Sequence, residues 1–88
     1  MDSSTGPGAS DPIKAVVEII AKALVDHPDA VRVTENERRG LKVYSLTTAP
    51  GDMGKIIGRQ GRTAAALRTL VALTAEKHGT RAQLDIRD

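Results

Sequence analysis

The residues best placed to do chemistry lie between positions 54 and 62, where Gly54, Lys55, Ile56, Ile57, Gly58, Arg59, Gln60, Gly61 and Arg62 follow one another. Two glycines three apart enclose a basic and a polar residue, with apolar helix-forming segments on either side. Lacking a Cβ, Gly58 and Gly61 let a ligand come close to the backbone and reach angles closed to other residues. The amides of a tight turn entering a helix are expected to point outward at that helix's positive end, where anions bind. Lys55, Arg59 and Arg62 add full charges, and the only nearby acid is Asp52. The pattern predicts a loop that touches a phosphate backbone.

The charge distribution points the same way. The chain has 13 Lys and Arg against 11 Asp and Glu, but two of the acids, Asp2 and Asp11, precede residue 12. Between residues 55 and 68 stand Lys55, Arg59, Arg62 and Arg68 with no acid among them. Such local density steers a polyanion better than net charge does. A basic run alone is more often a solvated helix face; the adjacent glycines favour a binding loop.

Other chemistries find little support. No Ser, His and Asp grouping or carboxylate pair is placed for catalysis, so the chain reads as a non-enzyme. Gly51, Gly54 and Lys55 lack the spacer of a P-loop, and Ile56 stands where its Ser or Thr belongs. His27 and His78 have no further ligand at metal spacing and read as decorations of helix ends, so neither a metal nor a cofactor is expected. Tyr44 reads as a strand residue with its ring packed and its hydroxyl in water. It is the single aromatic residue, which argues against RNA modules that stack bases on several aromatic platforms.

Eighty-eight residues without cysteine make one small domain that neither disulfides nor a metal staple, so tight packing or self-association must help. No apolar run approaches the roughly 20 residues that span a membrane, and no signal peptide is evident, so a soluble, cytoplasmic protein is expected. Residues 1–10 are rich in Ser, Gly and Pro and predict a flexible tail, leaving residues 11–88 as the domain.

The elements that must position the loop follow from periodicity. Asp11 and Pro12 start a helix with Ile13, Val16, Val17, Ile20 and Leu24 at helical spacing, ending near His27 and Pro28. Residues 30–34 and 41–48 read as strands, with the polar residues 35–40 as their turn. Asp52 is placed to cap a short helix at 53–57. A longer helix over 62–78 has Leu67, Leu70, Val71 and Thr74 on one face, stopped by Gly79, and residues 81–87 alternate as a half-buried strand. The expected core is Val16, Val17, Ile20, Val31, Val33, Leu67, Leu70, Val71, Leu84 and Ile86.

The order helix, strand, strand, helix, helix, strand, with Ile56, Ile57, Gly58, Arg59, Gln60 and Gly61 between the fourth and fifth elements, resembles the type II KH domain. With Ala49, Pro50, Asp52, Met53, Gly54 and Lys55 leading into that signature, the chain is similar to the small bacterial RNA-binding proteins of the KhpA family. The resemblance implies an α+β fold, three helices on one face of a three-stranded mixed sheet. It also implies that the Gly-x-x-Gly loop clamps the backbone of about four nucleotides of single-stranded RNA. Carried onto this chain, Gly58 and Gly61 admit the backbone, Arg59 and Gln60 lie along the phosphates, and Lys55 and Arg62 flank the path. Ile56, Ile57 and Ala64 touch bases, with Leu46 extending that floor. Ala64 and Thr63 are smaller or more polar than is usual at these positions, which predicts weaker base binding. Because the loop is expected to be exposed, Gly58→Asp is expected to abolish binding without disturbing the fold.

A single KH domain makes only two to four phosphate contacts, giving a log–log salt slope of about −1.4 to −2.8. The resemblance therefore implies avidity through a homodimer, or a heterodimer with a larger KH-containing RNA-binding protein, acting as an RNA chaperone or post-transcriptional regulator. The phosphate clamp does not by itself exclude single-stranded DNA. The competing reading is a protein-interaction adaptor or ribosome-associated assembly factor with the same fold and little RNA affinity of its own.

Overall fold

The structure, a computed structural model, describes residues 11–87; the expected tail over residues 1–10 lies outside the described residues, as does Asp88. Helix α1 spans Pro12–Leu24. Asp11 caps it, accepting from the Lys14 N–H at 3.0 Å, and Pro12 occupies the first turn, where a missing N–H leaves nothing unpaired. Its inward face is Ile13, Val17 and Ala21, continued by Val25. The helix stops at Leu24, short of the expected end, because Val25 turns extended to reach the core, and a 3₁₀ turn follows at Pro28–Ala30.

Strand β1 (Arg32–Arg38) pairs antiparallel with β2 (Leu41–Thr47). The expected turn over residues 35–40 is corrected: it consists of Arg39 and Gly40 alone. Both have positive φ, 53° and 82°, the geometry of a two-residue hairpin turn whose twist suits its strands. Glu35, Asn36, Glu37 and Arg38 extend β1 despite their polarity because it is an edge strand. Within it only Val33 is buried, and the other side chains face water.

Strand β2 is central. Its other neighbour, β3 (Arg81–Ile86), runs parallel to it, so the sheet is mixed in the order β1-β2-β3. A parallel pair needs a crossover, supplied by helices α2 (Met53–Ile57) and α3 (Arg62–Lys77). Gly79, at φ 71°, ends α3 as expected. Its N–H bonds the Glu76 carbonyl at 3.1 Å, and the Thr80 N–H bonds that of Ala75 at 2.9 Å.

The three helices cover one face of the sheet in the α-β-β-α-α-β order of a type II KH fold. One core joins Ile13, Val17, Val31, Val33, Leu67, Val71 and Leu84 to residues that periodicity did not single out: Tyr44, Leu46, Ile56 and Ala75. Leu70, expected in this core, is 40% exposed; α3 turns Ala64, Leu67, Val71 and Ala75 inward instead. Val16 is half-buried, while Ile20 and Ile86 pack against the core from its rim.

Tyr44 departs from expectation at its polar end. Its ring is fully buried, and its hydroxyl donates to the Asp11 carboxylate, 3.2 Å from each oxygen, rather than facing water. Burial and the negative charges of Asp11 and Glu35 push the phenol pKa far up, as does the bond to Asp11. Helix cap and central strand are thus joined through one carboxylate.

Because this pKa is raised on folding, the contribution is complete below the ordinary phenol value of 10.0 and declines as pH rises beyond it. Tyr44→Phe should therefore cost about 1 kcal/mol at neutral pH. That deficit should shrink as pH rises above about 10 in denaturant titrations, and a constant deficit would contradict the assignment.

Candidate nucleic-acid interface

The signature folds as α2, a reversal and α3. Three of the four residues in the reversal have positive φ: Gly58 at 75°, Gln60 at 57° and Gly61 at 73°. The two glycines are needed for different reasons. A Cβ at Gly58 would fall onto Thr63 Oγ1 and lie 2.7 Å from Thr63 Cβ, so Thr63 occupies the space that this glycine leaves. A Cβ at Gly61 would meet nothing within 4 Å; there only the left-handed backbone asks for glycine. Gly58→Asp is consequently a poor probe of binding, because it disturbs the packing of the turn itself.

The turn also uses some of the amides expected to face a ligand. The Gly61 N–H bonds the Gly58 carbonyl at 3.1 Å, and the Arg62 N–H bonds that of Arg59. The attraction for an anion therefore falls more heavily on side-chain charge. Arg59, Gln60 and Arg62 are exposed, and neither arginine pairs with an acid among the described residues. Lys55 is also exposed, but its ammonium lies 3.4 Å from Asp26, an open ion pair that a phosphate can displace.

The apolar floor is smaller than expected. Ile57 is 42% exposed beside the turn, whereas the side chains of Ile56, Ala64 and Leu46 are buried in the core. Packed inward, these three side chains do not reach the surface of the loop. The physical reason is the shortness of α2: five residues can bury one side chain firmly, and Ile56 takes that place.

Asp52 does something the sequence did not reveal. It stands before α2 without capping it, and it is 2% exposed. One carboxylate oxygen accepts the His27 N–H at 3.0 Å and lies 3.1 Å from His27 Nδ1, which donates when protonated. Burial alone pushes this carboxyl up, but the bonds from the His27 side chain and backbone outweigh it and hold the pKa below the aspartate range. With the Asp26 to Lys55 pair, this contact ties the loop after α1 to the start of α2 and fixes the direction from which the chain enters the turn. Twenty-five residues separate the partners, so no local pattern announces them.

Among the described residues no group of three or more His, Asp or Glu is placed to hold a metal. No helix among them is long and apolar enough to cross a membrane. The family model described as KhpA/KhpB, KH domain, matches residues 14–86. The chain belongs to this KH-domain family. It is 53% identical over 76 residues to the RNA-binding protein KhpA of Halalkalibacterium halodurans, covering 86% of this chain and 100% of that one. It is 47% identical over 74 residues to the RNA-binding protein KhpA of Aquifex aeolicus, 84% of this chain and 94% of that one. With that of Caldanaerobacter subterraneus the identity is 51% over 71 residues, 81% of this chain and 95% of that one. These KhpA relatives are named for RNA binding and not for a reaction, and the family is non-enzymatic.

The distinction between the two glycines is measurable. Gly58→Ala and Gly61→Ala both place a Cβ at positive φ, a penalty of about 1 kcal/mol, but only the former also meets Thr63. Gly58→Ala should be the more destabilising by roughly 1 kcal/mol or more in chemical denaturation. Equal losses would show that Thr63 yields freely.

Proposed function

We propose that the protein binds single-stranded RNA by laying the phosphate backbone along the 58–61 turn. The observation that carries this reading is the turn itself. Positive φ at Gly58, Gln60 and Gly61 holds the exposed Arg59, Gln60 and Arg62 together at the head of α3. Lys55 flanks the path through its displaceable pair with Asp26, and Ile57 offers an apolar contact to a base. Gly61 leaves open space for the strand's close approach. Relatives named RNA-binding protein KhpA support RNA as the ligand.

With so few phosphate contacts a lone domain binds weakly, so the protein acts in the cytoplasm as a homodimer or beside a larger KH-containing RNA-binding protein. In that form it serves as an RNA chaperone or post-transcriptional regulator. The outer face of α3 supports association: Leu70 and Leu73 are 40% and 56% exposed, more than a solvated helix face requires. The same leucines are what an adaptor would use, and the two readings part on the behaviour of the loop.

Fluorescence anisotropy of the wild type and an Arg59→Asp, Gln60→Asp double variant with a mixed-sequence single-stranded RNA at two salt concentrations tests the reading. Salt-sensitive binding that disappears in the folded variant is expected. Equal binding by both proteins, or none by either, overturns it in favour of the adaptor. Substituting single-stranded DNA reports whether the clamp discriminates the sugar.

Light scattering after size exclusion should give a mass near twice the chain's 9.3 kDa, returning toward 9.3 kDa in Leu73→Asp. A wild-type mass of 9.3 kDa at all concentrations would rule out stable self-association.

A further inference from the structure

The three helices cover one face of the sheet and leave the other bare. Val33, Tyr44, Leu46 and Leu84 point into the core, so alternation turns their neighbours along each strand toward the bare face. Strand pairing then sets those neighbours in rows. Arg38, Leu41 and Arg81 form the row at one end. Asn36, Val43 and Gln83 form the next, followed by Thr34, Ser45 and Asp85. Arg32 and Thr47 close the other end, where Arg87 continues the ladder through its N–H bond to the Leu46 carbonyl at 2.9 Å.

Alternation also sorts the charges. On β1, Glu35 and Glu37 fall on the helix side, where Lys42 lies 4.0 Å from Glu35, while Arg32 and Arg38 fall on the bare side. Arg68, whose Nε lies 3.5 Å from the Leu84 carbonyl, reaches β3 from the helix side as well. The bare face of the three strands thus carries four arginines, Arg32, Arg38, Arg81 and Arg87, against one acid, Asp85. Arg87 at 3.9 Å and Gln83 at 3.4 Å already engage that acid. Arg38 and Arg81 are exposed, and neither pairs with an acid among the described residues. Arg32 donates to the carbonyls of Asp29 and Val31 through Nη1 alone, which leaves Nη2 for a ligand.

We propose that this bare face is a second RNA site and that it takes base-paired RNA, the stem beside a single strand held at the 58–61 turn; the assignment rests on the RNA-binding reading above. The two arginine rows stand roughly 20 Å apart along the strands, and β1 and β3 roughly 10 Å apart across β2. A mononucleotide cannot meet both rows, whereas a nucleic-acid backbone can. A single strand would need a stacking platform for its bases, and the one aromatic ring, Tyr44, is buried on the opposite side. A stem keeps its bases stacked within itself and presents phosphates and 2′-hydroxyls across a wide, shallow minor groove. Arginine forks at the two ends suit the phosphates, and the hydroxyls and amides of Thr34, Ser45, Asn36 and Gln83 between them suit the 2′-hydroxyls. Helix α3 leaves the turn and β3 runs back, so Arg32 and Arg87 lie at the turn's end of the domain. One RNA can therefore reach both sites.

The test is anisotropy binding of three probes: a blunt RNA stem, a single-stranded RNA, and the two joined. The proteins are the wild type, Arg38→Gln with Arg81→Gln, and Arg59→Asp with Gln60→Asp, each checked by a circular dichroism melt. The wild type should bind the joined probe more tightly than either part. Arg38→Gln with Arg81→Gln should lose stem affinity on the order of tenfold, with a salt slope shallower by about 2, and should hold the single strand as the wild type does. The turn variant should show the converse. A stem that the wild type does not bind, or that the arginine variant binds unchanged, overturns the second site while leaving single-strand binding in place. So does a DNA stem of the same sequence bound as tightly, or a changed mass of the arginine variant in light scattering, which would put a second copy on this face. Absence of salt-sensitive binding to every probe overturns the RNA reading and this assignment with it.

Discussion

Strands β2 and β3 lie side by side and point the same way, so the chain leaving Thr47 must travel back before it can enter β3 at Arg81. Most of what this small domain offers a ligand follows from how that return is made. A single long helix would cross the sheet without a corner. Here a five-residue helix and a sixteen-residue helix meet at a reversal, and the reversal requires positive φ at residues 58, 60 and 61. Thr63 fills the space that a side chain at position 58 would take, so the corner is closed by packing within the protein and stays shaped without a ligand. Preorganisation of this kind avoids an ordering penalty on binding.

Two carboxylate contacts, from the buried Asp52 and the half-buried Asp11, hold the corner in place relative to the rest. Asp52 fastens the start of α2 to His27, just beyond α1, while Asp11 joins the cap of α1 to Tyr44 on the central strand. Each joins segments that are distant in sequence, and the buried side chains among the described residues have partners for their polar atoms. The loop is therefore carried on a frame cross-linked from α1 to β2. That explains how a chain with one aromatic residue and no disulfide fixes its working surface.

Much of this was legible in the sequence because local rules acted alone. Asp11 with Pro12 marked the start of α1, Gly79 marked the end of α3, and alternation in residues 81–87 marked β3, which ends one residue earlier at Ile86. Reading failed where tertiary position overruled composition. Glu35, Asn36, Glu37 and Arg38 look like a turn and form a strand, since an edge exposed to water tolerates polar side chains. Leu70 looks like core and faces outward, because alanines at 64 and 75 let α3 lie close to the sheet on a different face. Within the candidate site, Gly58, Arg59, Gln60, Gly61 and Arg62 could be picked out by spacing. The burial of Ile56 and Ala64 and the contacts of Asp52 and Arg68 depend on residues 16 to 25 positions away or on the packed sheet.

The central claim is that the corner between α2 and α3 is where nucleic acid lies, and amide chemical-shift mapping by NMR tests it most directly. Adding a short single-stranded RNA to the labelled protein should shift Lys55, Ile57 and residues 58–62, while the β1–β2 hairpin stays unmoved. Shifts confined to Leu70, Leu73 and their neighbours on the outer face of α3, with the corner silent, would contradict the account.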